Sequence, residues 1–460
     1  MSKKEKERGI LKMRREEKGI TLVALIITIV VMLILVAVSI NVLVNSNLIG
    51  HAEKTGDAYA GAIKNEEKLG NDGITINDKE YASIDDYIES RKPLPEGAGK
   101  RAEKTKEYSD GTKTAWIPEG FTVSGIREET TIDGGLVIYD IPKGTTVDWT
   151  NPDNVKTAYN QFVWIPVEVN KTTEPKDTET SIASFYRSEW ADNARTAGLN
   201  SKYTEPYSSD ETNDYDASTG IKSQIENLTK SIYKYGGFYI GRYEAGSETE
   251  RKSSSGKTAI GIKQDMYPYN YVQWGDSMSS IGDVGAVALS NSLYNSMKPN
   301  YGATSMLCTG ACWDSMLDFI KNTKNVTSSV DWGNYEDAEF DITRGKYAEY
   351  ANRTLGSFTT VEGTYKKELY SVANKSILLT TGASERNSAK NIYDVAGNCW
   401  EWTTESYSSL NRVYRGRRLQ LRWFSPSSLR PRLLHYDLQR HRRFLPPFTL
   451  CKSVSLWAIY

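Results

Sequence analysis

The segment Asn391–Trp402, NIYDVAGNCWEW, sets Asp394 and Glu401 on either side of Gly397 and Cys399. If its Ala-Gly-Asn step turns sharply, the two carboxylates and the Gly397 and Cys399 backbone carbonyls converge. Hard oxygen donors from one short turn suit calcium. The same residues have a plainer use: Trp400 and Trp402 as core aromatics, Gly397 as a turn residue, Asp394 as the turn's cap. Either way the block is structural, and no catalytic residue is expected in it.

Other residue types narrow the chemistry further. Cys308 and Cys312 stand four apart, so a helix through both would put them on one face, ready for a soft metal or a strained disulfide. The alternative is two unrelated small buried residues. Cys399 and Cys451 stand apart from them. The three histidines, His51, His435 and His441, fall outside the main globular stretch, which excludes a histidine-based triad or zinc site there. Tyr267, Tyr269, Tyr271 and Trp274 lie at near-alternating positions of an expected strand and form a candidate ligand face. The competing use of these rings is the core.

The elements that position these residues follow from composition and period. The chain has 460 residues and a net charge of −1, so nothing global draws it to nucleic acid. Its 29 Tyr and 11 Trp mark a folded protein, since a disordered chain is poor in aromatics. Short apolar-aromatic runs separated by turn residues read as strands at 114–118, 135–141, 162–169 and 236–246. Residues 309–322 read as a helix with Trp313, Met316, Leu317 and Ile320 on one face. Residues 170–230 read as a polar surface loop or insertion with some helix around Ser181–Ala197. An α+β domain is expected over 113–416.

The N-terminus is different. Residues 1–19 carry eight basic and four acidic side chains, and Ile20 to Val44 follows with no charge at all. As a helix that run is about 37 Å long, against a hydrocarbon core of about 30 Å. The basic flank keeps the N-terminus cytoplasmic and sends the remainder outside. The expected order is therefore a leader (1–19), a transmembrane helix (20–50) meeting lipid through 20–44, and a helical stalk and linker (51–112). The large domain comes next.

The junction Lys18-Gly19-Ile20-Thr21-Leu22-Val23-Ala24-Leu25 resembles a type IV prepilin leader. The resemblance implies a prepilin peptidase as partner, cleavage after Gly19 and methylation of the new terminus at Ile20. Where prepilins carry a glutamate that pairs with a neighbouring subunit's terminal amine, this chain has Ala24. Anchoring is therefore the first reading, and a pilin-like structural subunit of a type IV pilus or secretion pseudopilus is the second.

Later blocks, in order, resemble the formylglycine-generating-enzyme (sulfatase-modifying-factor) domain, a variant of the C-type-lectin-like fold. They are Phe162–Pro166, Gly237–Glu244, Pro268–Ser277, Trp313-Asp314, Asn391–Trp402 and Arg412–Gly416. The resemblance covers 158–416 and implies a calcium site at Asp394, Gly397, Cys399 and Glu401. The enzymes of that family hold copper on a cysteine pair just beyond the strand matching Arg412–Gly416. Cys451 alone follows here. A non-catalytic, cell-surface ligand-binding or adhesion domain is therefore expected, its partner an extracellular glycan or protein, and the oxidase a distant alternative.

After Gly416 the composition breaks: residues 417–460 hold eight Arg, one Lys, one acidic residue and no glycine. A shifted reading frame after Gly416 explains the break, and a basic tail for an anionic cell-surface polymer is the alternative. With a shifted frame the fold should lack its final strands and carry an orphaned sheet edge.

Overall fold

The computed structural model describes residues 26–33, 74–76, 79–168, 221–253, 258–272, 274, 285–295, 298, 300–326, 329, 331–334, 342–351, 354–360, 375–408, 411–416, 432–433, 452–454 and 456–457. The chain divides into two compact units, Met1–Lys92 and Pro93–Tyr460.

In the first unit, residues 26–33 are helical. Ile26, Ile27, Ile29, Val30, Val31, Met32 and Leu33 are all exposed there, Met32 at 67%. Among the described residues no helix is long and apolar enough to cross a membrane. Gly19, Ile20 and most of the uncharged run lie outside the described residues. The unit also holds a hairpin of β1 (Ile74–Ile76) and β2 (Lys79–Tyr81), followed by helix α1 (Ile84–Arg91). The expected stalk is thus partly β.

The second unit mixes helix and sheet. It begins earlier than residue 113: β3 (Lys106–Ser109) pairs with β4 (Thr114–Ile117), and Ala102 and Tyr108 are buried. Tyr108 donates its hydroxyl to the Thr130 carbonyl, so the charged stretch carries its own apolar anchor. The linker boundary is corrected accordingly.

Five more strands build most of the central sheet: β5 (Thr122–Val123), β6 (Val137–Tyr139), β7 (Gln161–Pro166), β8 (Gly237–Gly241) and, farther on, β12 (Met306–Leu307). Between them fall helices α2 (Pro152–Ala158) and α3 (Ile221–Tyr235). The antiparallel pairing of β7 with β8 sets Trp164 opposite Tyr239 and Val163 opposite Ile240. β8 is buried at every position, which suits a central strand covered on both faces.

Helix α3 corrects the reading of 170–230 as surface loop. Ile221, Ile225, Leu228 and Ile232 recur at helical spacing and are buried. Gly236, at φ 74°, ends the helix and donates its N–H to the Ile232 carbonyl, turning the chain directly into β8. Residues 181–197 lie outside the described residues.

Three short strands, β9 (Gly246–Ser247), β10 (Ile260–Gly261) and β11 (Tyr267–Pro268), precede helix α4 (Ala286–Leu293). Helix α5 (Gly310–Ile320) follows β12 and is capped by Thr309, whose hydroxyl accepts from the Cys312 N–H at 3.0 Å. Trp313, Met316, Leu317 and Ile320 are buried, as their spacing predicts. Cys308 precedes the helix and Cys312 opens it. Both are buried as small core residues, outside any disulfide among the described residues, and do not share a helix face.

A smaller sheet pairs β13 (Lys346–Ala351) with β14 (Thr354–Leu355), β15 (Thr359–Thr360) and β16 (Lys375–Leu379). The motif strand β17 (Trp400–Ser408) pairs with β18 (Asn411–Arg415). The end of the chain then joins these sheets through β19 (Arg432–Leu433), β20 (Lys452–Val454) and β21 (Leu456–Trp457). β21 lies between β12 and β8, and β20 runs parallel beside β17. The expected loss of final strands is thus corrected: the run KSVSLW has strand-forming residues enough to fill the place.

One ion pair clamps β18 to α5. Arg415 Nη1 lies 2.7 Å from Asp314 Oδ1, and both side chains are fully buried. Removing one partner strands the other charge in the core. Arg415→Met is expected to cost about 3–5 kcal/mol in urea unfolding. The double change Arg415→Met with Asp314→Leu should recover most of that loss. Equal instability of the single and double variants would show that the pair itself is not what the site needs.

Candidate ligand-binding site

The motif loop is built on left-handed backbone. Asn391, Asp394, Gly397 and Asn398 have φ of 64°, 63°, 94° and 51°. Asn is the non-glycine residue that tolerates this region best. At Gly397 a side-chain carbon would collide with the Asn334 amide oxygen, so glycine is required for the close approach as well.

Asn398 is the node of the loop. Its backbone N–H donates to Asn334 Oδ1 at 2.7 Å, and its own Oδ1 accepts from the Leu379 N–H at 2.9 Å. Its Nδ2 donates to the Leu379 carbonyl and to Glu244 Oε1. Asn391 plays the same part at the other end, donating Nδ2 to the Gly135 carbonyl at 2.8 Å. Neither asparagine was singled out from the sequence; their place in a turn-forming string was the available signal.

The four expected calcium positions separate into different surroundings. Asp394 is fully buried, and one carboxylate oxygen accepts from the Gly382 N–H at 2.8 Å. Burial pushes its pKa up to about 7 against the lowering effect of the Gly382 and Glu244 backbone N–H groups. Gly397 packs on Asn334. Cys399 packs with Ala348, Leu355 and Leu378. Glu401 is buried on β17, opposite Arg415. Among the described residues no three His, Cys, Asp or Glu side chains converge as a metal cage. A cation here would thus draw on Asp394 together with backbone carbonyls, of which those of Val395 and Cys399 both approach Gly416.

Trp400 and Trp402 belong to the core. Trp402 Nε1 donates to the Val272 carbonyl at 3.0 Å, while Trp274 Nε1 donates to the Thr403 carbonyl at 2.7 Å. This reciprocal exchange ties Val272 and Trp274 to β17 and removes Trp274 from any ligand face. Tyr269 is also fully buried, with its hydroxyl on the Thr258 carbonyl and the Arg251 guanidinium over its ring. Only Tyr267 and Tyr271 are partly exposed. The alternation fails because the strand is only Tyr267–Pro268 and Tyr271 has φ 55°.

A different aromatic cluster borders solvent, two of its rings half-buried and two buried. Trp116 on β4, Trp164 on β7, Tyr239 on β8 and Tyr235 at the end of α3 line a shallow hollow that opens to solvent. Trp116 and Tyr235 are half-buried walls with ring centroids 5.2 Å apart. Trp164 and Tyr239 form the base at 5.1 Å, edge to face. The Tyr239 hydroxyl donates to the Trp116 carbonyl at 3.1 Å, locking the hairpin to the sheet. These residues come from four separate segments, so no local pattern could assemble them.

Beneath the motif loop lies a buried ionic network. Arg242 Nη1 donates to Glu129 Oε1 at 2.7 Å, with Lys156 Nζ 3.3 Å from the same oxygen. Glu129 Oε2 accepts from the Tyr139 and Ser124 hydroxyls, each at 2.7 Å. Arg242 Nη2 reaches Asn391 Oδ1 at 3.3 Å. Burial pushes the Glu129 carboxyl up, but Arg242, Lys156 and the two hydroxyls outweigh it and hold the group below its ordinary value. A depressed folded value contributes stability that is present above the unfolded value near 4.5 and is lost as pH falls through the folded one. Glu129→Gln should therefore cost about 3–5 kcal/mol at pH 7, with the gap to the parent closing at pH 3. Urea midpoints at the two pH values measure it, and a gap independent of pH would contradict the assignment.

Compared with known proteins, the chain matches no family model, no curated protein and no solved structure.

Proposed function

We propose that the chain is a cell-surface ligand-binding or adhesion protein, held by a single N-terminal membrane span with its N-terminus cytoplasmic and its large domain outside. The observation that carries this reading is the uncharged run Ile20–Val44 behind a basic flank, with seven exposed apolar side chains along its helical part at 26–33. The domain is proposed to be a non-catalytic relative of the formylglycine-generating enzymes, a C-type-lectin-like variant. The packing of the resembling blocks on one another supports this: β7 pairs with β8, Trp274 bonds to β17, and Asp314 pairs with Arg415.

Topology is tested on intact cells expressing the full chain. Added protease should degrade the domain beyond residue 93 while an N-terminal epitope survives. The protein should stay in the membrane pellet after an alkaline wash. A domain protected from protease, or a chain released by the wash, would overturn the anchor.

The leader residues Lys18-Gly19-Ile20 favour a second reading, a pilin-like subunit cut by prepilin peptidase. Recovery of the protein in sheared filaments would support it, and a membrane-bound monomer would support the first. Calcium is proposed as a structural ion held by Asp394 with backbone carbonyls of its turn, without Glu401, which lies opposite Arg415 on the β17–β18 pair. Buried Asp394, in a turn of left-handed residues, supports a compensating cation. Calcium at millimolar concentration should raise the melting temperature by several degrees over chelator, and Asp394→Asn should abolish that difference. Equal melting temperatures with and without calcium would remove the ion from the site.

A further inference from the structure

We propose that the hollow walled by Trp116 and Tyr235 binds one ring of a neutral oligosaccharide. The inference rests on the surface-binding reading and names the ligand class that such a protein would take.

The chemistry of the lining supports a ligand that is apolar on one face and hydroxyl-bearing at its edge. Four aromatic rings supply most of the wall, and the Thr105 and Ser231 side chains add hydroxyls. Among the described residues no acidic or basic side chain is part of the lining itself, and Lys234 Nζ lies over the Tyr235 ring, 4.7 Å from its centroid. A charged ligand would be desolvated there without a counter-charge, which is costly. A pyranose instead offers a C–H face that packs on an aromatic ring and hydroxyls that bond at its rim.

The base of the hollow carries an unmet donor. Trp164 is 3% exposed, and its indole Nε1 has no hydrogen-bond partner among the described residues. A buried N–H without an acceptor costs about 1–3 kcal/mol, so an oxygen brought to it by a ligand gains that amount in principle. Gly237 also lines the hollow, and a side-chain carbon there would strike Cζ2 and Cε2 of Trp164, the ring edge beside Nε1. Only glycine fits against that edge. Tyr239, by contrast, already spends its hydroxyl on the Trp116 carbonyl and serves as a rigid surface.

The hollow is distinct from the motif loop. Its residues come from the β3–β4 hairpin, the end of α3, the β7–β8 pair and the neighbourhood of Gly302. The calcium positions at 394–401 contribute nothing to it.

The test uses the full chain in lipid nanodiscs, which avoids sugar-headed detergents. Chitotetraose, cellotetraose and maltotetraose are titrated by calorimetry, with tetragalacturonate as the acidic control. At least one neutral tetrasaccharide should bind saturably and the acidic one should not. Trp116→Ala should weaken that binding at least tenfold, and Trp164→Phe, which keeps an aromatic ring and removes the N–H, about fivefold. Lys321→Ala, exposed just after α5 and outside the lining, should leave affinity unchanged. Preference for tetragalacturonate, no binding of any neutral oligomer, or binding indifferent to both tryptophan changes would overturn the proposal. If Trp116→Ala unfolds the domain, the Trp164→Phe result decides. A chain that passes the protease and alkaline-wash tests yet binds no sugar loses this inference alone, whereas failure of those tests removes the surface reading itself.

Discussion

Arg242 is a guanidinium taken almost wholly out of water, and the domain is arranged to make that tolerable. At 1% exposure it cannot be left without compensation, because the desolvation cost of a buried cation is several kcal/mol. Compensation comes from four directions. Glu129 supplies the counter-charge, Tyr139 and Gln161 accept from the same nitrogen as Glu129, and Asn391 accepts from the other. The Tyr243 and Tyr393 rings lie 5.6 Å from its centre. Each partner belongs to a different stretch of chain, so satisfying one charge brings β6, β7, β8 and the motif loop to a common point.

The motif loop repeats that logic with neutral groups. Asn398 uses its side chain as a backbone substitute, pairing with both the N–H and the carbonyl of Leu379 at the end of β16. The loop can then run through left-handed positions without leaving buried peptide groups unmet. Gly397 and Asn398 thereby set the direction in which β17 leaves, and with it the placement of Trp400 and Trp402 in the core. Arg415 closes the arrangement from β18 by its ion pair with Asp314. Two buried ion pairs and two asparagines hold the irregular half of the domain, and among the described residues Cys308, Cys312 and Cys399 form no disulfide.

A fold held this way releases aromatic residues from structural duty unevenly. Tyr269, Trp274, Trp400 and Trp402 are consumed by the core, whereas Trp116 and Tyr235 remain half in solvent around a concave surface. Their exposure follows from position: Trp116 sits on the two-stranded β3–β4 sheet, outside the central one, and Tyr235 at the last residue of a helix ended by Gly236.

The sequence by itself determined the local elements whose signals are self-contained. Helix α5 was legible from the spacing of Trp313, Met316, Leu317 and Ile320, because one face of a helix repeats within a few residues. β4, β6, β7 and β8 were legible from apolar runs bounded by turn residues, and the Ile20–Val44 run from its lack of charge. The tertiary structure alone decided which aromatics are inside. Tyr267, Tyr269 and Tyr271 look alike in a string, but a two-residue strand and one positive φ send them to different surroundings. It also decided that Glu129 and Arg242, 113 residues apart, share a hydrogen bond, and that the hollow exists at all. Local period reports which way neighbouring side chains point relative to each other. Burial and charge pairing depend on what arrives from elsewhere in the chain, and that is set by the cost of leaving a polar group unmet in the folded whole.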